Sequence, residues 1–102
     1  MGAAKRALAE RVQLTEEQIH LIAKALADPR RYDLLRQIGS RESSMPCSAI
    51  QELHPISAAT LSHHMKELET AGLVCAVREG KFVSYTLRRD VLQSYTDALT
   101  KI

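Results

Sequence analysis

A mainly α-helical single domain with a small β-hairpin ahead of its last helix is the architecture these 102 residues predict. Three observations carry it. Apolar residues recur at steps of three and four through much of the chain, as buried helix faces require. Two β-prone runs, residues 73–78 and 82–87, are joined by Arg78-Glu79-Gly80-Lys81, where Gly80 is free to take the positive φ of a hairpin turn. Caps and breakers (Thr15, Asp28-Pro29, Ser57, Gly72) divide the rest into helix-length pieces. The length suits one modest core, and low aromatic content agrees with helix.

The elements follow in order. Residues 1–13 are rich in Ala and carry Lys5, Arg6 and Arg11. With Leu8 and Val12 as a thin apolar stripe, they form either a frayed arm or a short helix packed on a partner subunit, and packing is the preferred reading. Thr15 followed by Gln18 is a capping-box pattern, and Glu16 and Glu17 suit the positive end of the helix it opens. Ile19, Ile22, Ala23 and Leu26 make that helix's inward stripe, with His20 on the surface. Asp28 as N-cap and Pro29 as first residue start the next helix, which turns Leu34, Leu35 and Ile38 inward and ends at Gly39.

Residues 40–46 are a polar loop that delivers Cys47 to the start of a short helix anchored by Ile50 and Leu53. Pro55 ends that helix by pushing His54 out of the helical region. Ser57 caps the following helix and Gly72 stops it. Between them Ala58, Leu61, Met65 and Leu68 face inward, while His64 sits at the edge of that stripe in a structural, hydrogen-bonded role. Ala59, His63, Lys66 and Thr70 face outward, flanked by Thr60 and Ser62. After the hairpin, Asp90 caps a last helix over residues 90–102, with Leu92, Tyr95, Leu99 and Ile102 on one apolar face beside Val91 and Ala98. So wide an apolar face on so small a domain predicts burial across a two-fold dimer with the N-terminal helix.

Helix, turn, helix and two-stranded wing make a winged helix-turn-helix, with residues 47–71 as the helix-turn-helix and 73–87 as the wing. The outer face of the second helix offers small residues, hydroxyls, an imidazole and an ammonium with no carboxylate at its centre. Such a face lets the backbone approach a duplex and reach phosphates or base edges. Candidate DNA contacts are Ser57, Ala59, Thr60, Ser62, His63 and Lys66, together with Arg78 and Lys81 of the wing. Arg30 and Arg31 stay open between the DNA backbone and a pairing with Glu16 or Glu17.

Residues 25–35 (ALADPRRYDLL), 57–73 with their Ser62-His63-His64-Met65 centre, and 78–85 (REGKFVSY) together resemble the ArsR/SmtB family of bacterial transcriptional repressors. The similarity runs from about Leu14 to the C-terminus. It implies a homodimeric winged helix that binds palindromic operators and leaves DNA when an inducer binds. Many members carry a Cys-x-Cys metal pair in the helix before the recognition helix; here Cys47 falls between the two usual positions and Ser48 occupies the second. The other common family site uses Asp and His on the terminal helix, yet residues 90–102 contain no His. No metal site and no cofactor are therefore expected, and a lone thiolate cannot assemble a soft site unaided. Cys47 is instead either a packing residue or a thiol switch, since the positive end of a helix favours a thiolate. Cys75 is expected to be structural.

The net charge of +2 permits nucleic-acid binding without arguing for it. No signal peptide and no apolar stretch long enough to span a bilayer is recognisable, so a reduced, cytoplasmic protein is expected. No carboxylate pair, phosphate loop or nucleophile-with-base pattern marks an enzyme. The expected function is a homodimeric repressor of double-stranded DNA, with a thiol-sensing repressor and a winged-helix protein-interaction module as alternatives.

Overall fold

The computed structural model describes residues 12–102; the arm or short helix expected at residues 1–13 falls almost wholly outside them. Five helices and three short strands follow in the order α1 (Glu16–Leu26), α2 (Pro29–Gly39), β1 (Met45–Pro46), α3 (Cys47–Leu53), α4 (Ala58–Thr70), β2 (Val74–Glu79), β3 (Phe82–Leu87) and α5 (Arg89–Thr100).

The punctuation acts as the sequence predicts at the first two starts. Thr15 Oγ1 accepts from the Gln18 N–H at 3.1 Å while Gln18 Oε1 accepts from the Thr15 N–H at 3.2 Å, the reciprocal capping box. Asp28 Oδ1 accepts from the N–H groups of Arg30 and Arg31, and Pro29 needs no donor in the first turn. The Arg30 N–H bond, helped by that of Arg31 and by its charge, holds the Asp28 carboxyl below its usual range. In α1, Ile22 and Ala25 are the buried residues, whereas Ala23, expected inward, is exposed. Spacing alone left the exact edge of that stripe open by a residue or two.

Gly39 does not end α2 in a left-handed turn. It is the last helical residue, and only Gly72 and Gly80 have positive φ among the described residues. Its small size serves packing: a Cβ there would lie 3.0 Å from Leu87 Cδ2 of β3. The loop expected at residues 40–46 also has structure at its end. Met45 and Pro46 pair antiparallel with Tyr85 and Ser84, so the expected hairpin is the larger part of a three-stranded sheet of order β1-β3-β2. Met45 is buried, and that burial pulls the loop's end into the sheet.

The core joins Ile22, Leu34, Leu35 and Ile38 of α1 and α2 to Ile50 of α3, to Leu61, Met65 and Leu68 of α4, and to Leu73, Val74 and Tyr85 around the sheet. Each large buried aliphatic side chain contributes about 1.5–3 kcal/mol. Two anchors expected here lie outside it. Leu53 is 56% exposed at the last turn of α3, and Ala58 is exposed at the first turn of α4, where there is not yet a neighbouring element to cover it.

α5 starts one residue before Asp90, which sits in its first turn and is not the N-cap. Arg88 claims that carboxylate through Nε at 3.0 Å and Nη2 at 2.8 Å. The paired hydrogen bonds lower the Asp90 pKa and raise that of Arg88. Of α5, Val91 and Ser94 are buried, and Ser94 Oγ accepts from the Val12 N–H at 2.8 Å, tying the segment before α1 to the last helix.

Candidate nucleic-acid interface

α4 is positioned from both ends. Ser57 Oγ accepts from the Thr60 N–H at 3.1 Å and donates to Thr60 Oγ1 at 2.9 Å. At the other end, Gly72 at φ +81° lets its own N–H reach the Glu69 carbonyl (2.9 Å) and the Leu73 N–H reach the Leu68 carbonyl (3.0 Å). This pair of bonds is the left-handed stop of a Schellman motif, and it places fully buried Leu73 just before β2.

Beneath α4, His64 is 6% exposed and its Nδ1 lies 3.5 Å from Arg31 Nη1. A guanidinium can only donate, so Nδ1 accepts and the proton of the neutral ring sits on Nε2. Burial is the main cause that lowers the His64 pKa; the Asp28 carboxylate opposes it and the Arg31 cation reinforces it. Arg31 pairs with neither Glu16 nor Glu17. Its Nε and Nη2 donate to the carbonyls of Ala25 (2.7 Å) and Lys24 (3.3 Å), closing the end of α1, while Nη1 lies 3.9 Å from Asp28 Oδ2. Arg30 is exposed beside it. The structural role expected of His64 is thus matched by its surroundings.

Above, Ser57, Ala59, Ser62, His63, Lys66 and Thr70 are exposed, and Thr60 is half-buried with its hydroxyl already accepting from Ser57. The wing stands beside this face. Its strands are in register from Val74↔Leu87 to Glu79↔Phe82, leaving Gly80 and Lys81 as a two-residue turn. Gly80 has φ +61° and Lys81 does not share a positive φ, the pattern of a type II′ turn. Lys81 is exposed at the tip with Nζ 5.9 Å from the ring centre of Phe82, itself exposed.

Arg78, expected beside the turn, lies within β2. It belongs to the strand face turned toward α4, and its Nη2 lies 3.4 Å from Glu69 Oε1. Ser62, Lys66, Glu69, Arg78 and Tyr85 together line one cleft between the recognition helix and the wing. Sequence reasoning brought forward three of these five. Glu69 was legible as a residue one helical turn from Lys66, but its partner comes from another element. Tyr85 was legible only as a strand residue.

Cys47 opens α3 half-buried against the core, and Cys75, expected to be structural, is exposed on the strand face turned away from α4. Both thiols are free. Among the described residues no three His, Cys, Asp or Glu side chains converge to hold a metal ion, and no helix is long and apolar enough to cross a membrane. On α5, Leu92 and Tyr95 are half-buried and Leu99 is 46% exposed, whereas Ile102, expected on the same helical face, lies two residues beyond the helix end at Thr100 and is fully exposed.

Comparison with known proteins agrees with this geometry. Residues 26–74 match the family model described as a helix-turn-helix domain. The transcriptional repressor SdpR of Bacillus subtilis is 33% identical over 72 residues, covering 71% of this chain and 78% of its own. Among solved structures, an ArsR-like transcriptional regulator from Rhodococcus sp. RHA1 superposes with a TM-score of 0.73 at 22% identity, covering 83% of this chain and 78% of that one. A homodimeric winged helix-turn-helix DNA-binding domain from Mycobacterium bovis, described as a possible ArsR-family regulator, does so at 0.67 and 24% identity over 87% of each chain. The placement of a capped recognition helix beside a wing, the helix-turn-helix match and the likeness to SdpR make this chain a member of the ArsR/SmtB-like winged helix-turn-helix transcriptional regulators.

Proposed function

We propose that the protein is a homodimeric repressor, and not an enzyme, that binds an inverted-repeat operator in the cytoplasm and is released by an inducer. One observation carries the reading: the exposed face of α4 and the inner face of the wing meet at a single cleft, with Lys66 and Arg78 on its two walls. A duplex lying along α4 would meet both. Ser57, Ala59, Thr60, Ser62 and His63 would then approach the groove, and Lys81 at the wing tip a flanking phosphate or the minor groove.

The dimer reading rests on α5, whose Leu99 stands exposed in one subunit beside half-buried Leu92 and Tyr95, with Ile102 uncovered just past the helix end. The Mycobacterium bovis domain of similar fold is described as homodimeric. Two recognition helices about a two-fold axis reach half-sites about 34 Å apart, hence an inverted repeat. Selection of bound sequences from a random duplex pool tests this. A palindromic consensus with half-sites about one helical turn apart supports the reading, and a single unpaired half-site refutes it. In the same assay Lys66→Ala weakens binding on all duplexes, whereas Thr60→Ala or His63→Ala changes the selected sequence. Equal losses on selected and random duplexes for all three variants would contradict that division.

A further inference from the structure

The cleft between α4 and the wing has a floor with an unused donor. Tyr85 is 8% exposed, held between Ala76 on one side and Met45 on the other by the sheet register. Its phenol oxygen has no hydrogen-bond partner among the described residues, yet no side-chain oxygen there is sealed from solvent without one. The hydroxyl therefore opens where the residue lines the cleft. Burial raises the Tyr85 pKa, and the field of Cys47 and Glu69 adds to this against Arg78, so the phenol keeps its proton at neutral pH and can donate it. With its ring buried and its hydroxyl open to the cleft, Tyr85 presents a positioned donor that a ligand seated there can accept from.

We propose that Ser62, Lys66, Arg78 and Tyr85 form a seat for one phosphodiester of the DNA backbone, with Glu69 holding Arg78 at the seat until the phosphate takes its place. The assignment rests on the DNA-binding reading above and adds Tyr85 and Glu69 to it. Two cations and two hydroxyls converge on one cleft, the donor set an oxyanion needs. Charge selects the diester. Lys66 and Arg78 against Glu69 leave one net positive charge, which a singly charged phosphodiester balances and a doubly charged phosphate monoester does not. The Arg78–Glu69 pair is solvent-exposed at 3.4 Å, weak enough to exchange for a bidentate phosphate contact.

Because a backbone contact ignores sequence, the test needs no operator. Affinity of the full chain for a random-sequence duplex is measured by fluorescence anisotropy at low salt and across a salt series. Tyr85→Phe is expected to weaken binding about tenfold, the scale of a hydrogen bond to a charged group. The melting temperature should not fall, since the phenol has no partner inside the chain. The salt dependence should also keep its slope, because no charge is lost, whereas Lys66→Ala and Arg78→Ala should each flatten it. Glu69→Gln is expected to tighten binding several-fold by freeing Arg78. Unchanged affinity in Tyr85→Phe, with wild type binding well, overturns the seat and leaves the DNA reading intact. Weaker binding by Glu69→Gln overturns the hand-over of Arg78. Competition by inorganic phosphate beyond that of chloride at equal ionic strength, lost in Tyr85→Phe, overturns the diester in favour of free phosphate. A wild type that leaves the duplex unbound at low salt overturns the DNA-binding reading and the seat together.

Discussion

Helices α4 and α5 are nearly the same length, 13 and 12 residues, and both are amphipathic, yet they relate to the rest of the subunit in opposite ways. α4 spends its apolar stripe inside its own subunit, with Leu61, Met65 and Leu68 buried, and turns hydroxyls, His63 and Lys66 outward. α5 gives the core Val91 and leaves Leu99 exposed beside half-buried Leu92 and Tyr95. The polar outer face fits a hydrated polyanion and the apolar one fits a second protein surface. What an amphipathic helix leaves uncovered, rather than what it buries, indicates the kind of partner it awaits.

Substitutions can break this contrast, beginning with the largest effect. Leu68→Ala, at a fully buried position of α4, should cost about 2–5 kcal/mol in urea unfolding, because a cavity is added to the lost transfer energy. Were α4 a loosely attached helix, the loss would stay below about 1 kcal/mol, the range of surface changes. Leu99→Asp on α5 should do the reverse. It should leave the helical circular dichroism intact while weakening self-association at least tenfold in sedimentation equilibrium. A variant that unfolds instead would mean that α5 is covered within its own subunit.

A third change sharpens the account of the buried side of α4. His64 has a native pKa lowered by burial, so in acid the unfolded chain binds its proton before the native protein does. Its contribution to stability is therefore full above about pH 6.5, the unperturbed value, and is lost as pH falls through the lower native value. The urea midpoint of wild type should drop more between pH 7.5 and pH 5.5 than that of His64→Gln; parallel drops would place the acid sensitivity elsewhere. The smallest effect belongs to the wing. Gly80→Ala meets no atom within 4 Å, so its cost is only the strain of φ +61°, about 1 kcal/mol, visible as a small fall in melting temperature. A larger loss would show that the turn is packed rather than free.

Much of the fold was legible because its signals are local. Thr15 with Gln18, Asp28 with Pro29, Ser57, Gly72 and Gly80 each act within a few residues of themselves, and all five behave in the structure as their neighbours in sequence require. The errors gather where a residue's fate depends on a distant element. Met45 joins a strand because Tyr85 lies opposite it, 40 positions later, and Gly39 is small because Leu87 crosses it. Ala58 and Leu53 match the helical period but lie at helix ends that no other element covers. Asp90 has the right type for a cap and is taken by Arg88.

The candidate site divides in the same way. Periodicity sufficed to place Ser62, His63 and Lys66 on the outer side of one helix, since 100° per residue is a property of the backbone and not of the fold. That Lys66 shares a cleft with Arg78, that Arg78 lies against Glu69, and that the Tyr85 phenol opens beneath them were decided by the angle at which the wing packs on α4. The chain by itself determined where helices start and stop and which sides are polar, because those depend on short-range sterics and hydrogen bonds. Only the tertiary structure decided which polar side chains meet, because side chains from separate elements are brought together by the packing of a shared core.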